Sequence, residues 1–78
     1  MSIDKKQREK LERLGEHIKT LRKEKGLTLK ELSHSINKDP QSIHRLEKGQ
    51  VNPSYLYLVD LCIGLNINLK ELIEKFES

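Results

Sequence analysis

The sequence predicts an all-α fold, a compact five-helix bundle, on three observations. Apolar residues recur at spacings of three and four, capping residues stand at the ends of each such run, and no stretch alternates as a half-buried strand does. The 78 residues suffice for one domain. A core of that size leaves a thin stability margin, so closely packed helices or a partner subunit must supplement it. Hydrophobic and charged residues each make up 35%. That balance alone would suit disorder, but disorder does not place apolar residues at helical spacing.

The first helix runs from about Lys6 to Lys25, with Leu11, Leu14, Ile18 and Leu21 on its inner face and Gly26 ending it. Residues 1–8 are expected as a flexible basic extension, and 9–77 as the domain. Thr28 with Glu31 forms a capping box for a second helix over about 28–36, whose inner face is Leu29, Leu32 and Ile36. Asn37 tolerates the left-handed conformation that ends helices. Asp39-Pro40 opens a third helix over about 39–48, with Ile43 and Leu46 inward and Gly49 as its stop. Asn52-Pro53-Ser54 is a turn and a cap. The fourth helix then runs from about Tyr55 to Leu65, with Tyr55, Leu58, Cys62 and Leu65 as its expected core stripe. Asn68 with Glu71 caps the fifth helix, where Leu69, Leu72, Ile73 and Phe76 close the core.

Helices two and three are separated by three or four residues with Asn at the bend, the spacing of a helix-turn-helix. Residues 26–54, GLTLKELSHSINKDPQSIHRLEKGQVNPS, resemble the helix-turn-helix of the lambda repressor–Cro (Xre-like) family of transcriptional regulators. The likeness continues into LGEHIKTLRKEKG before and YLYLVDLCIGLNINLKELI after, so it covers about 60 of the 78 residues. The motif is specific in its GLT start, its EL pair, its SIxxLExG third helix and its NPS turn.

The resemblance implies a sequence-specific regulator of double-stranded DNA, with the third helix in the major groove. By position the base-reading residues are then Pro40, Gln41, His44 and Arg45. Gln41 suits adenine N6/N7, Arg45 suits guanine O6/N7, His44 can donate to guanine or phosphate, and Pro40 offers apolar contact. Phosphate contacts are expected from Thr28 and Lys30, from Ser42 beside the reading residues, and from Lys48, Asn52 and Ser54. Glu47 is structural in this reading, paired with Arg22 of the first helix. Departures from the family pattern weaken the expected affinity per monomer. Leu29 replaces a glutamine that commonly touches phosphate, Ser33 an alanine, Asn37 a glycine, Lys38 an apolar residue, and Asp39 a Ser or Thr.

Charge placement agrees with a polyanionic partner. Residues 1–48 hold thirteen Lys/Arg against eight Asp/Glu, a balance of +5, and residues 49–78 hold two against four, a balance of −2. The fourth helix carries a second apolar stripe, Leu56, Val59 and Ile63, which calls for a partner. A homodimer through that face would set two reading helices about 34 Å apart on a palindromic operator. Among small regulators, the length and bare layout resemble restriction-modification controllers somewhat more than Cro-like repressors. The alternative is an antitoxin or adaptor that uses the fourth-helix face for another protein.

Other classes find little support. A lone cysteine, Cys62, builds no disulfide framework or four-cysteine zinc site and suits a reducing compartment. Met1 to Lys10 has no apolar run of a secretory signal, so the expected location is cytoplasmic, with no membrane partner. His17, His34 and His44 fall on different helices, and no nucleophile, base and acid stand at an informative spacing. No cofactor, metal, small-molecule ligand or enzymatic activity is expected.

Overall fold

Backbone capping determines where each helix begins. In the computed structural model, which describes residues 3–77 and side chains through Ile73, the helices are α1 (Lys5–Glu24), α2 (Leu29–Ser35), α3 (Pro40–Glu47), α4 (Tyr55–Leu65) and α5 (Leu69–Glu77). Thr28 and Glu31 exchange bonds in the expected capping box, the Glu31 N–H donating to Thr28 Oγ1 (3.0 Å) and the Thr28 N–H to Glu31 Oε1 (2.9 Å). Asn68 and Glu71 do the same at α5. Asp39 accepts from the Gln41 N–H (3.0 Å), with Pro40 as the first helical residue. Asn37 and Asn66 both sit in the left-handed region at φ 56° and end α2 and α4, as Gly26 and Gly49 do at φ 71° and 74° after α1 and α3. These turns let the Lys38 N–H reach the Ser33 carbonyl (2.8 Å) and the Ile67 N–H reach that of Cys62 (3.0 Å).

α1 starts within one residue of the expected Lys6, and the expected flexible extension is correspondingly shorter. Asp4 caps it through a capping box with Gln7, so residues 5–8, expected as flexible extension, are helical. The local signal, an Asp followed three residues later by Gln, was present in the sequence. Met1, Ser2 and Ser78 lie outside the described residues, as does the side chain of Phe76, expected in the core.

The core gathers Leu14 and Ile18 of α1, Leu32 of α2, Ile43 and Leu46 of α3, Leu61, Cys62 and Leu65 of α4, and Leu72 of α5. α1 packs on α3 and α5, and α2 packs on α3 and α4. In α4 the inner face differs from expectation. Tyr55 is 66% exposed, and Leu61, outside the expected stripe, is wholly buried. The segment YLYLVDLCIGL is apolar on more than one face, so periodicity does not select the inward one. A core face through Leu58, Cys62 and Leu65 also includes position 61, whereas Tyr55 stands at the first helical residue and is left largely exposed.

A close approach of helix backbones falls at Gly15, which is buried in the middle of α1. A β-carbon there would press on the carbonyl oxygens of Leu46 and Glu47, 2.5 Å from the latter, so α1 crosses the end of α3 with no room for a side chain. Helix propensity alone would make Gly15→Ala stabilising by roughly 1 kcal/mol. Because the obstructing atoms are backbone, the sign should reverse, with a loss of about 1–3 kcal/mol in urea unfolding. A more stable variant would show that the two helices are not in contact at this point.

Candidate nucleic-acid interface

The third helix divides cleanly into two faces. Ile43, Leu46 and Glu47 are buried, while Pro40, Gln41, His44 and Arg45 are all exposed. Pro40, Gln41 and His44 line a shallow hollow together with Leu29 from the start of α2. Leu29, expected on the inner face of α2, is only half-buried and forms the apolar wall of that hollow. Arg45 lies one residue beyond His44 and is not part of the lining.

A buried ion pair fixes the orientation of this helix. Arg22 Nε donates to Glu47 Oε2 (2.7 Å), Nη2 donates to Oε1 (3.2 Å), and Nη1 donates to the Leu27 carbonyl (2.7 Å). The side chains are 8% and 4% exposed, so the pair predicted from the sequence is both formed and desolvated. The bidentate fork ties the end of α3 to α1 and to the loop that leads into α2.

The expected phosphate contacts take up different positions. Lys30, Lys48 and Asn52 are exposed. The oxygens of Thr28 and Ser54 each accept from a backbone N–H of the helix they cap. The Thr28 backbone N–H is consumed by Glu31. In return that N–H, and after it the Thr28 hydroxyl, hold the Glu31 carboxyl below the usual carboxylate range, which keeps a negative charge at this end of α2. Ser42 is half-buried and its Oγ lies 2.7 Å from the Tyr57 hydroxyl. Two hydroxyls in one mutual bond use one of their two protons, so one proton remains to donate outward.

Three residues around this bond carry roles not drawn from the sequence. Lys38, which stands where the family pattern has an apolar residue, places its ammonium 4.8 Å from the Tyr57 ring centroid and 3.4 Å from Asp60 Oδ2. Lys38, Tyr57 and Asp60 thus tie the bend between α2 and α3 to α4. Their separation in sequence, about twenty residues, gave no local signal. Burial, and after it the charge of Glu71, pushes the Cys62 thiol up, so it stays protonated and packs as a small apolar group. Among the described residues no three His, Cys, Asp or Glu gather to hold a metal ion, and no helix is long and apolar enough to cross a membrane.

A helix with one buried face and one exposed polar face, set after a left-handed turn on a shorter helix, defines a helix-turn-helix DNA-binding domain. Residues 18–72 match the Helix-turn-helix family HTH_3, and the chain belongs to this Xre-like, lambda repressor-like family. It is a DNA-binding transcriptional regulator and not an enzyme. An uncharacterized HTH-type transcriptional regulator, y4dJ, of Sinorhizobium fredii is 33% identical over 60 residues, which cover 77% of this chain and 78% of that protein. The restriction-modification controller protein C.AhdI from Aeromonas hydrophila superposes with a TM-score of 0.77 at 31% identity, over 80% of this chain and 94% of that one. The clp gene regulator ClgR from Corynebacterium glutamicum superposes with a TM-score of 0.82 at 26% identity, over 87% and 88%.

The ion pair sets a sharp expectation for stability. Glu47→Ala leaves the buried guanidinium without its counter-ion and should cost about 3–5 kcal/mol in denaturant unfolding. Replacing both partners with apolar residues, Arg22→Met with Glu47→Leu, should cost far less than the single change. Equal losses in the two variants would mean that the pair is not desolvated.

Proposed function

We propose that the chain binds a palindromic operator as a homodimer, reading bases with Pro40, Gln41, His44 and Arg45. The observation that carries this reading is the division of α3, which leaves those four side chains exposed together on a helix immobilised by its other face. Gln41 and Arg45 supply bidentate base recognition, each worth about 1–3 kcal/mol of discrimination. Thr28, Lys30, Ser42, Lys48, Asn52 and Ser54 serve as phosphate contacts that set register without reading sequence. The likeness to C.AhdI, a controller protein, supports a small stand-alone regulator.

The dimer reading rests on α4. Leu56 and Ile63 are 71% and 69% exposed, with half-buried Val59 between them and exposed Tyr55 at the end of the same helix. The start of α1 does not cover this stripe. Large apolar side chains left bare on so small a domain favour a second copy over water.

Selection of binding sites from random duplex DNA should return a palindrome with half-site centres about one helical turn apart. Arg45→Ala should then lose about 1–3 kcal/mol of preference at one position of each half-site, while Lys48→Ala should weaken all duplexes alike and lower the salt slope by about 1. If no sequence is enriched at low salt, the major-groove reading does not hold.

Sedimentation of the full chain at micromolar concentration should give a dimer, and Leu56→Glu with Ile63→Glu should give a folded monomer with weak operator binding. A monomeric parent that still binds a palindrome tightly would overturn the role of α4. A stable complex with a different protein in place of self-association would favour an adaptor.

A further inference from the structure

A second groove lies between α1 and α3, beside the reading face. Glu16, Lys19 and Lys23 of α1 line it from one side, and His44 of α3 with Lys48 at the end of that helix from the other. The ion-paired Arg22 and Glu47 also line it and cancel in charge. Among the described residues, Lys19, Lys23 and Lys48 form no ion pair. Three ammonium groups therefore face one carboxylate, a local balance of +2 with His44 neutral. The groove shares Leu29 and His44 with the hollow at the reading face.

We propose that this groove seats a phosphate strand of the DNA, with Lys19 and Lys23 as backbone contacts beside Lys48. The inference rests on the DNA reading above and adds α1 to its footprint. A duplex that accepts α3 in its major groove runs its backbone along the flanks of that helix. A concave surface of one charge sign concentrates potential more than a convex one, so these lysines attract a polyanion better than lysines on an open helix face. Lys19 is half-buried, so less side-chain freedom is lost when its ammonium meets a phosphate. Lysine acts as a point charge at phosphate, so the contact adds affinity on every sequence and preference for none. Lys5 and Lys10 lie on the same helix, are exposed and line no part of the groove, which makes them the internal comparison.

The test is titration of the selected operator, and of an unrelated duplex of equal length, at several salt concentrations. The proteins are the full chain, Lys19→Gln with Lys23→Gln, and Lys5→Gln with Lys10→Gln. Each phosphate contact contributes about 0.9 to the slope of log K against log salt, so the groove variant should lose about 1.8. Between about 50 and about 200 mM salt, its affinity should therefore fall roughly twelvefold less than that of the parent. Operator and unrelated duplex should weaken by the same factor at low salt, and the Lys5 and Lys10 variant should keep the parent slope. A groove variant with the parent slope, or no more altered than the comparison variant, overturns the inference alone. A parent chain that binds no duplex at low salt overturns the DNA reading and this inference with it.

Discussion

The fork between Arg22 and Glu47 is the constraint on which the rest of the interface depends. A glutamate on the third helix would repel DNA if it faced outward, and an arginine at the same depth would be costly if buried alone. Together they neutralise each other, and the third guanidinium bond, to the Leu27 carbonyl, secures the entry to α2. One side chain of α1 thereby joins three consecutive pieces of the motif. The absent side chain at Gly15 is its counterpart, because only a glycine lets α1 come close enough to the end of α3 for Arg22 to reach Glu47 along the same face.

The other end of α3 is held by a different device. Its first turn is tied through Ser42 to Tyr57, and the bend before it through Lys38 to Tyr57 and Asp60. These contacts are half-exposed, and a pair such as Lys38–Asp60 contributes at most about 1 kcal/mol. Their importance is geometric. A helix pinned only at its C-terminal end could pivot, and one pinned at both ends holds its exposed Gln41 and Arg45 at a fixed angle.

Much of this was legible in local chemistry. The capping boxes at Thr28 and Asn68, the Asp39-Pro40 start, and the left-handed Asn37 act within three or four residues, so the sequence displays them directly. The Arg22–Glu47 pair was legible only through family resemblance, since nothing local links positions 25 residues apart. The inner face of α4 was not legible, because a helix apolar on several faces carries no periodic instruction; tertiary packing selected Leu61 and left Tyr55 outside. Lys38, read as a departure from the apolar residue of the family pattern, has partners in α4 that pattern reasoning does not bring near it. Lys19 and Lys23 look like ordinary solvated lysines until α3 is placed opposite them.

The charge and apolar asymmetries of the chain then describe one division of labour. The basic first 48 residues build α1, α2 and α3 and the two hollows beside α3, and the remainder, at −2, builds α4 and α5. α4 belongs to both halves. Its outward stripe is the surface offered to a second copy in the proposed dimer, while its Tyr57 and Asp60 hold the bend and first turn of α3. In such a dimer the spacing of two reading helices is set by α4 against α4, and their tilt by Tyr57 against Ser42. The same short helix would therefore fix both of the quantities a palindrome measures, half-site separation and approach angle.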